Sequence, residues 1–96
     1  MTTYRLIFKA KARKEWDKLD SSVRAQFQKK LRERLFHPRV VAARLRDLPD
    51  CYKIKLRNVG YRLIYRVDDD RVVVIVIAVG KREGDEAYES AAKRLF

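Results

Sequence analysis

Eight consecutive apolar residues, Val72 to Val79, constrain the fold more than any other stretch of the chain. A strand with one wet face alternates apolar and polar side chains; this run does not, so it reads as a central β-strand covered on both faces. It is too short to span a bilayer, which takes about 20 apolar residues. The 96 residues must therefore supply a layer on each side of a sheet. They suffice for one core, so the expectation is a single domain over residues 1–96.

One layer is legible before the sheet begins. Tyr4 to Phe8 reads as a first strand, and Ala12, Trp16 and Leu19 then recur at helical spacing in a charged stretch. Asp20-Ser21-Ser22 offers N-cap chemistry for a second helix, along which Val23, Phe27, Leu31 and Leu35 fall every fourth residue. That helix is expected to end at His37-Pro38, because the residue before a proline is pushed out of helical conformation. The two helices form a hairpin that packs as a unit, and an irregular connector, Arg39 to Asp50, follows.

At Cys51 the period changes to two. Tyr52, Ile54 and Leu56 alternate with Lys53, Lys55 and Arg57, a turn falls at Asn58-Val59-Gly60, and Tyr61 to Val67 returns as a second strand. A loop with an even number of residues, opposing Arg57 to Arg62, places Tyr52, Ile54, Leu56, Leu63, Tyr65 and Val67 on one face. Lys53, Lys55, Arg57, Arg62, Ile64 and Arg66 then share the other, whereas an odd loop would mix the sets. The apolar face is expected to meet the helical hairpin and the cationic face to point away from it. Asp68-Asp69-Asp70 turns the chain into the Val72–Val79 strand.

The cationic side also needs a cover. After Gly80-Lys81-Arg82-Glu83-Gly84, Asp85 is placed to cap a last helix lined by Tyr88, Ala91, Ala92 and Leu95. The expected fold class is α+β in the order β-α-α-β-β-β-α. The helical hairpin covers one face of a mainly antiparallel four-stranded sheet, and a short C-terminal helix lies near the other.

Composition narrows the partners. The chain has 24 Lys and Arg against 13 Asp and Glu, a formal charge of +11, which attracts polyanions. Between Arg39 and Arg66 stand eight cations and two acids, Asp47 and Asp50, so that segment holds +6 of the total. Cys51 is the only cysteine and His37 the only histidine. A disulfide within the chain, a multi-cysteine metal site and a paired-histidine mechanism are excluded. No N-terminal signal order and no membrane-spanning run is visible, so a cytoplasmic protein is expected. Scattered acids give no metal site, and Asp68-Asp69-Asp70 suits a turn better than a cation cage.

Lys53, Lys55 and Arg62 lie within two strand positions of one another, where they can stabilise the extra charge of a phosphorane-like transition state without a metal. A solvated face whose cations deter edge-to-edge association has the same pattern, and the pattern alone does not choose. Tyr88, on the apolar stripe of the last helix, either only packs there or reaches the cationic face. Tyrosine, with a pKa of about 10, and arginine, above about 12, are weak proton-transfer groups at neutral pH.

Three segments then converge on a family. Pro49-Asp50-Cys51-Tyr52-Lys53-Ile54-Lys55-Leu56-Arg57, Gly60-Tyr61-Arg62-Leu63, and Val79-Gly80-Lys81-Arg82-Glu83 with Tyr88 resemble the bacterial RelE toxins. The likeness extends to the Trp16 helix, the Pro38 break and the closing Ala92-Lys93-Arg94-Leu95. It implies a type II toxin that enters the ribosomal A site and cuts the mRNA codon there until a cognate antitoxin neutralises it. Attack by the ribose 2′-hydroxyl on the adjacent phosphate would leave a 2′,3′-cyclic phosphate and a 5′-hydroxyl, with no cofactor.

Carried over by position, the resemblance makes Lys53, Lys55, Arg62, Arg82 and Tyr88 catalytic, with Tyr88 or Lys55 as the base. Arg44, Arg46, Arg57, Arg66 and Lys81 are candidates for gripping RNA or the ribosome. DNA is a partner only indirectly, through the antitoxin complex, and no membrane is involved. The chain departs from the expected pattern at Glu83-Gly84-Asp85-Glu86, an acidic bend close to Arg82. Two other readings use the same charge: a non-catalytic RNA-binding module, and a gyrase-poisoning relative that keeps the scaffold without the five residues.

Overall fold

The computed structural model describes residues 3–81, 83 and 86–95. Its elements are β1 (Arg5–Phe8), α1 (Ala10–Asp17), α2 (Ser21–Phe36), a 3₁₀ turn (Val41–Ala43), β2 (Cys51–Leu56), β3 (Tyr61–Asp68), β4 (Val73–Lys81) and α3 (Glu86–Leu95). The order is the one expected. The sheet runs β1-β4-β3-β2, with β1 parallel to β4 and the other neighbours antiparallel.

The apolar run is central and buried from Val73 to Val79. On one side Trp16, Phe27 and Leu31 of the helical hairpin pack on Ile54, Leu63, Tyr65, Val74 and Val76. The Trp16 ring stacks obliquely between Phe8 and Phe27, with centroids 5.2 and 6.2 Å away. On the other side Ala87 and Ala91 of α3 pack with Ile64, Ile75, Ile77 and Ala78. Leu45 and Leu48 from the connector share this second cluster, so the cover comes from two segments, not from α3 alone.

Both faces of β4 are covered, as its lack of alternation predicts, and the strand also carries a bulge. Ile64 opposes Ala78 while Tyr65 opposes Val76, leaving Ile77 extra. Ile77 and Ala78 consequently both face the second cluster.

Two local expectations need correction. Arg57 does not oppose Arg62: Leu56 pairs with Tyr61 and Lys55 with Arg62. The four-residue loop is Arg57 to Gly60, closed by the Gly60 N–H on the Leu56 carbonyl at 2.9 Å. Gly60 sits at φ +68°, where a side chain would be strained. The pairing moves by two residues, an even number, so the division of the strands into two faces survives. Asp20 does occupy the N-cap position of α2, but its side chain makes no capping bond; only its carbonyl engages the helix, accepting from the Arg24 N–H at 3.0 Å.

Candidate active site

The corrected register brings the candidate cations closer than the sequence suggested. Lys55 stands directly opposite Arg62, and Lys53 lies two residues along β2 on the same face. All three are half-buried. This opposition concentrates positive charge at one point of the sheet. Arg62 also opposes Gly80 on β4, over which the Glu86 side chain and the first turn of α3 are packed.

The cationic face is shorter than expected. Ile64 is fully buried, and Arg66, exposed at the far end of β3, opposes buried Cys51. Arg57 has left the strand for the loop and is exposed. Arg44 forms an isolated bridge with Tyr52 along the outer edge of β2, Arg46 stands exposed on the same connector, and Lys81 is exposed at the end of β4. Of these five, Arg57 lines a cleft with Lys53 and Lys55, whereas Arg66 lies apart, beside Arg39 and Asp50. Arg82 lies outside the described residues, as do Gly84 and Asp85 of the expected bend and cap.

Helix α3 docks over this face because Gly80 permits it. A Cβ on Gly80 would lie 3.2 Å from the Ala87 nitrogen and 3.2 Å from the Glu86 Cβ, so any larger residue would require the first turn of α3 to give by a few tenths of an ångström. The Glu86 carboxylate accepts from the Lys81 N–H at 3.3 Å, and the other end of the helix is tied by Arg94. Its guanidinium donates to the Ile77 carbonyl at 2.6 Å and, through both terminal nitrogens, to the Glu15 carboxylate at 2.9 and 3.2 Å. Glu15 in turn accepts from the Val79 N–H at 3.2 Å, so α1 and α3 are joined around the β4 edge that lies beyond its pairing with β1.

Tyr88 is half-buried beside Ala87, and its hydroxyl donates to the Asp47 carboxylate at 2.9 Å. Asp47 was not singled out in the sequence, because one acid in a cationic connector carries no pattern. Arg34 was missed as well. It projects from the last turns of α2 and donates from Nη1 to the Lys53 carbonyl at 3.2 Å and to the Tyr65 hydroxyl at 2.8 Å. The Tyr65 hydroxyl donates in turn to the Pro38 carbonyl at 2.6 Å, which fixes the helix end, the connector and both hairpin strands together.

Cys51 is no nucleophile. Burial pushes its thiol up to about 11, against a smaller opposite pull from Arg66. At the far edge the Asp69 carboxyl is held below its usual range, first by the Tyr4 hydroxyl at 2.6 Å and then by Arg39 at 2.7 Å. This cluster is structural. It ties the β3–β4 turn to the N-terminus and to the start of the connector. Among the described residues no group of three or more His, Cys, Asp or Glu side chains is placed to hold a metal ion.

A family model described as the ParE toxin of type II toxin–antitoxin systems, parDE, matches residues 6–86. The mRNA interferase toxin RelE of Escherichia coli strain K12 is 59% identical over 93 residues, covering 97% of this chain and 98% of that one. The chain belongs to the RelE toxin family. Its backbone superimposes on an arginine-to-alanine double mutant of E. coli RelE in the free state with a TM-score of 0.90, at 56% identity, over 98% of this chain and 99% of that one. The same mutant in complex with a peptide of the antitoxin RelBc matches at a TM-score of 0.81 and 56% identity, with complete coverage of both chains. Fold and element order of this RelE-family chain are therefore those of the toxin.

Proposed function

We propose that this chain is an mRNA endoribonuclease that cuts the codon in the ribosomal A site and is held inactive by a cognate antitoxin. The observation that carries the reading is the opposition of Lys55 to Arg62, with Lys53 on the same face and Tyr88 on the helix above it. E. coli RelE, 59% identical, bears the name mRNA interferase, which favours RNA cleavage over passive RNA binding and over gyrase poisoning.

In the proposed reaction the ribose 2′-oxygen loses its proton and bonds to the adjacent phosphorus, and the bond from phosphorus to the 5′-oxygen breaks. The products are a 2′,3′-cyclic phosphate and a 5′-hydroxyl. Negative charge grows on the non-bridging oxygens, where Lys53 and Arg62 would hold it with fixed donors in a partly dehydrated site. Arg82 would stabilise or protonate the departing 5′-oxygen, the role that the family resemblance assigns it. Tyr88 or Lys55 would take the 2′-proton, and Tyr88 would have to give up its bond to Asp47 to do so. The positive charge that this chemistry needs comes from side chains, so no cofactor is invoked.

Because lysine, arginine and tyrosine are poor proton carriers near neutral pH, much of the rate must come from holding the nucleotide for in-line attack. The ribosome would do that. Arg44, Arg46, Arg57, Arg66 and Lys81, with the lysines of α1 and α2, would grip RNA backbone in a salt-sensitive, sequence-blind way. The antitoxin would contact DNA, bringing this chain to it only indirectly, and the site of action is the cytoplasm. An antitoxin segment of acidic or amphipathic character would cover the basic face or displace α3. The complex of E. coli RelE with an antitoxin peptide supports such a partner.

Primer extension on mRNA carried by programmed ribosomes tests the reading. Cuts confined to the A-site codon, with 2′,3′-cyclic phosphate ends, are the expected result. Absence of any cut at low salt with folded protein would overturn it.

A further inference from the structure

We propose that the cleft between the end of α2 and the open edge of β2 binds a backbone phosphate of single-stranded RNA, with Arg34 as its principal anion ligand. The inference rests on the reading that the substrate is RNA, and it adds a substrate-positioning residue outside the set carried over from the family.

The cleft encloses about 320 Å³ and is lined by Arg34, Lys53, Lys55 and Arg57, with Val40, Ala42 and Ala43 as its apolar wall. No acidic side chain is among these residues. Four cations gathered in one concave site repel one another and concentrate anions. Small side chains at 40, 42 and 43 leave room for a polymer backbone to pass.

Arg34 is built into the wall, not loosely solvated. Its guanidinium lies 5.7 Å from the centre of the Tyr65 ring, and both of its hydrogen bonds leave from Nη1. A guanidinium carries five N–H donors in a fixed fork, so Nε and Nη2 remain for a phosphate oxygen, a pairing that arginine makes with good geometry. The bond to the Lys53 carbonyl means that the open edge of β2, on which Lys53 and Lys55 stand, is braced by the same residue. A phosphate held there would lie at the edge of β2, in the cleft that Lys53 and Lys55 of the proposed scissile site also line. That placement registers the RNA for attack without Arg34 touching the reacting atoms.

The test uses the full chain and a short 2′-O-methyl oligoribonucleotide, which lacks the attacking hydroxyl and cannot be cut. Affinity is measured by fluorescence anisotropy across a salt series for the wild type, Arg34→Gln and Tyr65→Phe. Arg34→Gln should weaken binding about 10-fold and lower the slope of log affinity against log salt by about 0.7, the loss of one phosphate contact on a single strand. Tyr65→Phe removes the hydroxyl that Arg34 donates to but keeps its charge, and should leave the slope unchanged; it therefore separates binding from bracing.

An unaltered slope in Arg34→Gln, an equal loss in Tyr65→Phe, or no binding by the wild type at low salt would each overturn the proposal. So would capture of a Glu-rich peptide by an Arg34-dependent site while oligonucleotide binding stayed Arg34-independent, since that would assign the cleft to an acidic protein segment. Because the probe cannot be cleaved, failure of the A-site reaction with the wild type would leave these results standing and would count against the proposed function alone.

Discussion

At the scale of single residues, the polar groups inside this fold are few and committed. Tyr65 is fully buried, yet its hydroxyl joins Pro38 and Arg34, and its ring stacks on that of Tyr52 in the outer strand at 5.7 Å. Tyr65→Phe leaves the Pro38 carbonyl without that donor and should lower stability by about 1–2 kcal/mol in urea unfolding. Cys51 makes a second prediction. With its thiol raised to about 11 by burial, it should react with a disulfide reagent near neutral pH only at the rate of unfolding, and at once in denaturant. The folded state holds the proton more tightly, so this contribution to stability is complete below the ordinary thiol value of 9.0 and declines as pH rises toward 11. Asp69 acts in the opposite sense. Its carboxyl is depressed by Tyr4 and Arg39, so its contribution is present above 3.8 and is lost as acid protonates it. Tyr4→Phe should move the acid unfolding midpoint upward.

Among the elements, α3 depends most on one position. Gly80→Ala would put a methyl 3.2 Å from the Ala87 nitrogen, tighter than most such contacts, and should push the first turn of the helix outward by a few tenths of an ångström. Overpacking of this kind costs roughly 1–3 kcal/mol. The expected outcome is faster amide exchange in α3 than in β4 and lower cleavage activity, with the sheet unchanged. The layers themselves were legible in the sequence because periods of about four and of two are direct consequences of helix and strand geometry. Pro38 ended α2 where expected, and the eight-residue run became the central strand. The hairpin pairing was displaced because Arg57 continues the alternation past the true strand end, and only the backbone at Gly60 reveals where the chain turns. Leu45 and Leu48 gave no signal, since two leucines in an irregular segment have no period. Of the candidate site, the sequence showed that Lys53, Lys55 and Arg62 share a face. It did not show that Lys55 and Arg62 are opposed, nor the contacts of Arg34 with Lys53 and of Tyr88 with Asp47, which join residues 19 and 41 positions apart.

For the molecule as a whole, a charge of +11 and an absence of long apolar helices among the described residues leave a basic surface arranged around one partly buried group of cations. Exposed cations, together with Arg34, should set affinity and salt dependence, whereas Lys53, Lys55 and Arg62 should set the rate. Lys53→Ala, Lys55→Ala and Arg62→Ala are each expected to lower kcat about 100-fold or more, as removal of one oxyanion donor does, with KM much less affected. Arg44→Ala and Arg46→Ala should instead raise KM and flatten its salt dependence. The most direct test of the central claim is single-turnover cleavage of an A-site codon on programmed ribosomes by the wild type and Lys55→Ala, both shown to be folded. The account predicts A-site cuts with 2′,3′-cyclic phosphate ends and a rate for the variant lower by about 100-fold or more. A variant as fast as the wild type, or a wild type that makes no cut, would contradict it.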